Sequence, residues 1–334
     1  MIIRDGRTVG EGWHMRAGEP HAEAMALARA GADARGATAY VTLEPCSHFG
    51  RTPPCADALI AAGVAEVVIA MIDPNPRVGG EGIARLRAAG IRTRVGLLEE
   101  RAQALNVGFI SRMSRGLPWV RLKAASTLDG KTALENGVSQ WITGTAARRD
   151  GHRWRARACA VLTGIGTVRE DDPQLNVRDV ECSRQPLKIL IDPRLEVSPN
   201  ARILHDGRCL VVTASDDPGR AAPLRDRGIE ILCLPNTAGK VDLPGLFREL
   251  ALRECNEIHV EAGFKLNGSL LRERCADELL LYLAPMLVGD QAQGLFNLSP
   301  LNALEQAVRL KIRDVRSVGP DLRIIAGVDY PAIG

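Results

Sequence analysis

Short apolar runs that alternate with helical segments constrain the fold of this chain more than any other feature. Residues 38–43 (TAYVTL) and 66–72 (EVVIAMI) are apolar, β-branched runs with the length of buried strands. Between them, residues 55–63 have helical periodicity and end on glycine, as does the alanine-rich segment 20–31. Because strands joined by helices are usually parallel, the pattern predicts an α/β fold with a mostly parallel sheet.

The same alternation resumes after a basic stretch that contains glycine and proline, residues 111–120 (SRMSRGLPWV), which we predict to be a linker. Seven further strand patterns follow it, at residues 119–126, 158–164, 187–192, 208–214, 229–234, 257–263 and 278–287. The tail, residues 307–328, is typical of an antiparallel hairpin. A chain of 334 residues is long for one domain, so we expect two, at 1–116 and 117–334.

Composition excludes several classes of protein. The net charge of +3 is too small to indicate nucleic-acid binding unless the charge gathers on one face. No apolar run reaches the roughly 18 residues that span a bilayer, and the first residues do not resemble a signal peptide. The eight cysteines of such a chain favour metal binding or free thiols in a reducing compartment over a disulfide framework. We therefore expect a cytoplasmic protein with no membrane or nucleic-acid partner.

One constellation of residues predicts a zinc site. His21 and Glu23 stand at the start of a predicted helix, Cys46 follows a strand in the sequence Glu-Pro-Cys, and Cys55 begins the next helix. A catalytic zinc needs three protein ligands and an open position for water. In zinc deaminases the pattern H-x-E, P-C and C provides those ligands, and the glutamate moves protons without binding the metal. We predict His21, Cys46 and Cys55 as ligands and Glu23 as the catalytic acid and base.

The spacer between the two cysteines has eight residues, where two are common, so it must loop outward. A helix start favours a thiolate and lowers the cost of deprotonating Cys55. His48 lies inside the loop, and three readings stay open for it. We favour a substrate contact over a solvated side chain, and a role as a metal ligand is the least favoured of the three.

Two glycine-bearing turns of the second half each follow a strand and precede a helix, at Gly164 and Gly166 and at Gly263 and Gly268. Backbone N–H groups at such helix starts suit a pyrophosphate. Neither turn has the G-x-G-x-x-G pattern, and on residues alone each is equally an ordinary strand–helix connection.

These motifs resemble one family along nearly the whole chain. HAE, EPCSHFGRTPPC and DPNPRVGGEG are similar to the deaminase half of the bifunctional deaminase/reductases of riboflavin biosynthesis. The second half matches the reductase domain of that family in order, with LKAASTLDGKTA, SQWIT, ARRDGHRWRA, TGIGTVREDDPQLNVR, VEAGFKLNGSLL and LYLAPMLVG. The resemblance implies a cytidine-deaminase-like α/β/α domain followed by a dihydrofolate-reductase-like α/β domain.

The resemblance also implies two reactions and two cofactors, Zn²⁺ and NADPH. The first reaction hydrolyses the 2-amino group of a diamino-hydroxy-ribosylamino-pyrimidine phosphate, and the second reduces its ribosyl ring to a ribityl chain. Lys123 and Asp171 are implied to assist the opened sugar. The implied NADPH contacts are Ala125, Trp141, Thr167, Asp171, Gly263, Phe264, Lys265, Leu266, Asn267, Gly268 and Ser269. The implied substrate contacts are His48, Arg51, Ser139, Arg155, Leu175, Arg178 and Glu261, with the arginines at its phosphate.

Some residues depart from the family pattern or allow a second reading. Phe264 and Lys265 replace the usual Pro-Thr, and Lys265 is either a cofactor-phosphate contact or a solvated side chain. Trp141 could equally be a core aromatic. Lys123 and Asp171 could equally be an ordinary strand-end lysine and a loop aspartate.

The start of the chain also departs from the family. MIIRDG aligns with the end of the family's first strand, so we expect its first helix and most of that strand to be missing, leaving unpaired strand edges and an open pocket. Either Met1 is an internal residue of a longer protein, which we favour, or the deaminase half is truncated and weak. The chain as written is then expected to deaminate poorly and to reduce normally.

Two other functions remain as alternatives. A reductase with an inactive structural deaminase domain differs from the bifunctional enzyme when the two half-reactions are assayed separately. A nucleic-acid deaminase is disfavoured because no basic groove rich in aromatic residues is evident. The small-molecule pyrimidine substrate stays the expected partner, together with further copies of the chain in a homo-oligomer.

Overall fold

The computed structural model describes residues 1–16, 18–50 and 53–331, and it divides into two compact units, Met1–Arg115 and Gly116–Gly334. Arg51, a predicted substrate contact, lies outside the described residues. No described helix is long and apolar enough to cross a membrane.

The first unit is built from one mixed sheet with helices around it. Its strands are β1 (Ile2–Arg4), β2 (Arg7–Gly10), β3 (Thr38–Val41), β4 (Glu66–Ile69) and β5 (Arg92–Val95). Its helices are α1 (Ala22–Ala30), α2 (Cys55–Ala62), α3 (Glu81–Ala88), α4 (Glu99–Leu105) and α5 (Val107–Arg115). Helix α2 ends where its glycine predicts, because Gly63 has a φ of 68°, a left-handed conformation that costs glycine little.

The strands of this sheet lie in the order β2-β1-β3-β4-β5. Strands β3, β4 and β5 are parallel, as predicted, whereas β1 is antiparallel to both of its neighbours. The side chain of Ile2 is buried, and its backbone pairs with Ala39 on one side and Gly10 on the other. The expectation of an unpaired edge beside β3 is therefore wrong for the described residues, since this short first strand covers it.

The predicted linker at residues 111–120 is largely regular structure. Helix α5 continues to Arg115 and β6 begins at Trp119, so three residues, 116–118, lie between them. The lone glycine and proline end one element and precede the next, while Val107, Ile110 and Ser111 recur at the spacing of one helix face. Arg115 continues this face at the end of the helix and donates to Oγ of Ser111 at 2.6 Å.

The second unit contains a larger sheet and a two-stranded ribbon. Its strands are β6 (Trp119–Thr127), β7 (Lys131–Ala133), β8 (Ala160–Gly164), β9 (Leu187–Ile191), β10 (Cys209–Thr213), β11 (Glu230–Cys233), β12 (Glu257–Glu261), β13 (Glu278–Ala284), β14 (Gln293–Gly294), β15 (Arg309–Val318) and β16 (Asp321–Asp329). Its helices are α6 (Thr145–Arg157), α7 (Ile165–Asp171), α8 (Pro218–Arg225), α9 (Leu243–Leu252) and α10 (Phe264–Arg272).

The large sheet has the order β11-β10-β9-β8-β12-β6-β13-β16-β15, and the small ribbon pairs β14 with β7. From β11 to β13 every neighbouring pair is parallel, and the predicted hairpin β15–β16 adds two antiparallel pairings. Strands β8, β12 and β6 are central, so the carboxyl ends of three parallel strands meet at one edge. In open α/β sheets this edge is where ligands usually bind.

Candidate active sites

Three elements of the first unit bring a histidine and two cysteines together. His21 is the residue before α1, Cys46 follows β3, and Cys55 is the first residue of α2. The Nδ1 atom of His21 lies 3.6 Å from Sγ of Cys46 and 3.3 Å from Sγ of Cys55, and all three donor atoms lie within 4.8 Å of one another. With Zn–S near 2.3 Å and Zn–N near 2.0 Å, the edge of a zinc tetrahedron is about 3.6 Å. The donor set and its spacing therefore fit zinc with one open position.

The two thiols have opposite acidities because they share a proton. Donation from the Cys55 thiol, together with the backbone N–H of Cys55 at 3.2 Å, lowers the pKa of Cys46 to about 5 against the opposing effect of burial. The pKa of Cys55 is raised, first by its hydrogen bond to Cys46 and then by burial and the nearby Glu23 carboxylate. Sharing one proton between the two thiols lowers the cost of removing the first proton from the pair. A bound cation would remove the second proton.

Glu23 lies on the first turn of α1, two residues after His21. Burial raises the pKa of its carboxyl group, partly offset by hydrogen bonds from its own backbone N–H and from the Cys55 thiol. The carboxyl group is therefore within hydrogen-bond reach of a predicted ligand, Cys55.

The loop after Cys46 and the loop after β4 face each other. His48 is exposed, and its charge is near enough to Asp73 to affect the pKa of that carboxyl group, which burial raises. The charge of Cys46 also raises the pKa of Asp73, so this half-buried carboxyl group lies near the predicted metal site. Asp73 is not among the predicted site residues, although it begins the DPNPRVGGEG motif.

In the second unit, Lys123 and Glu261 occupy paired positions on the neighbouring strands β6 and β12. Burial lowers the pKa of Lys123, while the nearby Glu261 opposes that effect. Burial alone would raise the pKa of Glu261, but Arg155, His259 and Lys123 together hold it well below its usual range. The Lys123 ammonium also lies 6.0 Å from the centre of the Tyr282 ring. A lysine and a glutamate therefore lie side by side, with Glu261 at the carboxyl end of β12 and Lys123 in the middle of β6.

Arg155, which is predicted to contact the substrate phosphate, is hydrogen-bonded to groups of the protein itself. Its Nε and Nη2 donate to the two oxygens of Glu261 at 2.7 and 2.9 Å, and Nη1 donates to the carbonyl of Asn176 at 2.5 Å. Three of its five N–H donors are thus occupied, and the residue is buried. Arg155 positions Glu261 in this structure, and a direct phosphate contact stays a prediction.

The two predicted glycine turns lie side by side, because β8 and β12 are neighbours in the sheet. A Cβ atom on Gly164 would lie 3.1 Å from Leu266, and one on Gly263 would lie 3.6 Å from Oγ1 of Thr167. Neither α7 nor α10 has a side-chain cap on its first N–H groups. Asn267 is buried, with Nδ2 bonded to the Ala262 carbonyl and Oδ1 left without a partner. Uncapped N–H groups beside these two glycines fit the pyrophosphate of a dinucleotide.

The remaining predicted contacts differ in how far they are exposed. Trp141 is 64% exposed, with the Arg148 guanidinium 4.6 Å from its ring, so the core reading of this residue is wrong. Asp171 ends α7, is exposed and accepts a hydrogen bond from Gln140 at 3.1 Å. Lys265 is exposed. Ala125, Ser139, Phe264 and Ser269 are partly buried, Leu175 and Gly268 are buried, and Arg178 is exposed.

The chain matches two family models, the RibD C-terminal domain over residues 118–324 and the cytidine and deoxycytidylate deaminase zinc-binding region over residues 1–71. It is 47% identical to the riboflavin biosynthesis protein RibD of Escherichia coli over 334 residues, covering 96% of this chain and 90% of that protein.

The chain belongs to the RibD family of riboflavin biosynthesis proteins.

Solved structures of this family resemble the chain in three dimensions as well. Acinetobacter baumannii RibD superposes with a TM-score of 0.89 at 42% identity, covering 98% of this chain and 91% of that one. A Thermotoga maritima protein superposes with a TM-score of 0.85 at 33% identity, covering 98% of this chain and 90% of that one. It is described as a diaminohydroxyphosphoribosylaminopyrimidine deaminase/5-amino-6-(5-phosphoribosylamino)uracil reductase.

Membership of the RibD family confirms several predictions. The fold is a zinc-binding deaminase domain followed by a RibD-type reductase domain, and the function is a bifunctional one in riboflavin biosynthesis. The zinc and NADPH cofactors are those of this family, and the predicted ligands His21, Cys46 and Cys55 form the candidate metal site. Nothing in the comparisons supports the alternative of a reductase with an inactive deaminase domain.

Proposed function

We propose that this chain catalyses the two reactions for which the Thermotoga maritima relative is named. The deaminase domain, 1–116, would hydrolyse the amino group of the diaminopyrimidine, and the reductase domain, 117–334, would reduce the ribosyl group of the product. The convergence of His21, Cys46 and Cys55 around one tetrahedral position is the observation that supports this proposal most directly.

In the deaminase domain, zinc when bound would supply a water molecule acidic enough to be hydroxide near neutral pH. Glu23, which is partly buried beside the ligands, would pass one proton of the attacking water to the ring nitrogen and would then pass the second proton to the amino group that leaves as ammonia. His48 is on the loop that borders the site and would contact the substrate phosphate. We assign the same role to Arg51 from its motif alone.

The test of this proposal is a matched pair of glutamate substitutions. Glu23→Gln should keep the zinc content and lower the rate of ammonia release by about 10²–10⁴-fold, the usual contribution of a general acid and base. Glu19→Gln changes an exposed glutamate just before the same helix and should leave the rate unchanged. Metal analysis and an ammonia assay give both readouts. Full activity of Glu23→Gln would remove Glu23 from the mechanism.

In the reductase domain, NADPH when bound would supply the hydride. Lys123 would donate a proton to the sugar oxygen as the ring opens, since it pairs with Glu261 at the carboxyl end of β12 and burial lowers its pKa. Glu261, held by Arg155, would orient that ammonium group and the sugar hydroxyls. We also assign Asp171 and Trp141 to the cofactor side and Arg178 to the substrate phosphate.

Lys123→Met removes the proposed proton donor and should lower NADPH-dependent reduction by about 10²-fold or more. Lys311→Met, an exposed lysine on β15, is the matched control and should reduce at the rate of the parent. Ammonia release by both variants should equal that of the parent, because the deaminase domain is untouched. A Lys123→Met protein that reduces normally would contradict the assignment.

We also propose that the chain forms a homo-oligomer and works in the cytoplasm on a free small-molecule pyrimidine. Sedimentation of the purified chain at several concentrations tests the first part, and a single species of monomer mass would contradict it. Fractionation of cells that express the native gene tests the second.

A further inference from the structure

Glu44 is a buried carboxylate beside the metal site to which no role has yet been given. It lies between β3 and the zinc ligand Cys46, and it is 5% exposed. A carboxylate is rarely buried to this extent unless it is paired or hydrogen-bonded.

Three backbone N–H groups donate to the Glu44 carboxylate. Oε2 accepts from Asp73 at 3.1 Å and from Gly80 at 2.9 Å, and Oε1 accepts from Ile83 at 3.1 Å. Asp73 and Gly80 are the two ends of one loop, and Ile83 lies in the first turn of α3. Gly80 is the residue before α3 and has no side chain to cap it, so Glu44 performs that role from a distant part of the chain.

Two further contacts attach α3 to the segment around Cys46. A Cβ atom on Gly82 would lie 2.0 Å from the carbonyl oxygen of Pro45, so only glycine permits this close approach. Arg85 donates to the carbonyl of Ser47 at 3.0 Å and pairs with Asp57 of α2 at 2.6 Å. The start of α3 is therefore packed on both residues that flank the Pro45–Cys46 peptide.

The loop that Glu44 closes is the one that places Asp73 near the metal site. We propose that Glu44 is a positioning residue for deamination, which fixes the loop 73–80 and the start of α3 against the strand end that bears Cys46. This inference rests on the zinc-dependent deamination proposed above. Glu44 touches neither metal nor substrate; its effect would pass through the position of the loop.

Glu44→Gln tests this because it keeps the shape and removes one acceptor oxygen. The new amide group would face at least one backbone N–H, so one of the three hydrogen bonds must be lost. We expect the kcat/KM of deamination to fall by about 10–100-fold, mostly through KM, because displacing a binding loop by about 1 Å has an effect of this size. Zinc content and NADPH-dependent reduction should stay those of the parent. Amide hydrogen exchange should become faster at residues 73–83.

Glu81→Gln is the matched control, since Glu81 is an exposed glutamate in the first turn of the same helix. It should change none of these readouts. Gly82→Ala perturbs the same junction without touching Glu44, and it should raise the KM of deamination with zinc retained. If Glu44→Gln is insoluble, Gly82→Ala tests the proposal in its place.

Four results would overturn the proposal. Deamination constants of Glu44→Gln or Gly82→Ala equal to those of the parent would show that the loop position does not matter. Loss of zinc from Glu44→Gln would place the effect on Cys46 itself, and loss of reduction would indicate a general folding role. If the parent releases no ammonia, the proposed deamination fails, whereas unchanged exchange at residues 73–83 in Glu44→Gln refutes the positioning role by itself.

Discussion

At the residue scale, His152 shows how strongly burial, helped by neighbouring charges, can determine a protonation state. Its side chain is buried, Nδ1 accepts the backbone N–H of Arg178 at 3.4 Å, and Nε2 lies 3.8 Å from Asp179. Burial, followed by the charges of Arg155 and Arg178, lowers the pKa of His152 to about 4. The neutral imidazole is therefore the form that supports the loop of Leu175 and Arg178, two predicted substrate contacts.

This shift predicts a pH dependence of stability. A histidine with a folded pKa of about 4 and an unfolded pKa of about 6.5 binds its proton more tightly in the unfolded chain, so acid favours unfolding. Stability is lost as the pH falls from about 6.5 towards 4, by about 2 kcal/mol between pH 7 and pH 5. Over the same interval, the free energy of unfolding of His152→Gln should fall by about 2 kcal/mol less than that of the parent.

Urea unfolding of parent and variant at the two pH values measures this difference. Tryptophan fluorescence follows it, since Trp119, Trp141 and Trp154 all belong to residues 117–334. His205→Gln, at an exposed histidine, should behave like the parent. Equal acid sensitivity of parent and His152→Gln would contradict the prediction.

The candidate zinc ligands were predictable because their spacing is a chemical requirement that local sequence expresses directly. The roles of Arg155 and Glu44 were not, because each depends on partners more than 30 positions away, Glu261 for one and Ile83 for the other. A motif indicates that such a residue matters. Its hydrogen-bond partners are decided by which strands become neighbours.

At the scale of elements, two glycines inside helices should respond oppositely to one substitution. A Cβ atom on Gly151 of α6 would meet no atom within 4 Å, so Gly151→Ala should stabilise the protein by about 0.5–1 kcal/mol through helix propensity. On Gly268 of α10 the Cβ atom would lie 2.1 Å from the Asn297 carbonyl oxygen. Gly268→Ala should therefore destabilise by about 1–3 kcal/mol and raise the Kd for NADPH, since α10 must shift.

Thermal unfolding and an NADPH fluorescence titration compare the two variants with the parent. A stabilised Gly268→Ala protein would show that α10 does not pack against Asn297 as described. Weaker NADPH binding by Gly151→Ala would make the cofactor effect of Gly268→Ala nonspecific.

Elements with apolar, β-branched runs were predicted well, and those without them were missed. Strands β9 (Leu187–Ile191) and β10 (Cys209–Thr213) are almost wholly buried and match their patterns closely. Strand β5 (Arg92–Val95, RTRV) is mostly exposed at the edge of its sheet, so no apolar periodicity marks it. The ribbon of β7 and β14 is too short for any periodicity, and β1 was indicated only by the resemblance of MIIRDG to the end of the family's first strand.

At the scale of the whole molecule, the two units have separate apolar cores. The buried cluster that includes Ile2, Leu59 and Leu86 draws only on residues 2–91, and the clusters around Leu162, Leu190 and Leu280 draw only on the second unit. A core within each unit is the condition for independent stability. The candidate zinc ligands all belong to the first unit, so metal removal should act on one activity alone.

Treatment with a zinc chelator should abolish ammonia release and leave NADPH-dependent reduction at the rate of the parent. Zinc bound to the folded state stabilises it by mass action, so the unfolding transition of the first unit should move to lower temperature while that of the second stays. Cys55→Ser should reproduce both effects, and Cys233→Ser, at an exposed cysteine outside the metal site, should reproduce neither. Restoring zinc to the chelated parent should restore deamination, whereas Cys55→Ser should not respond. Loss of reduction in step with deamination would mean that the two cores are not independent, and the separate assay of the half-reactions would then no longer separate the two sites.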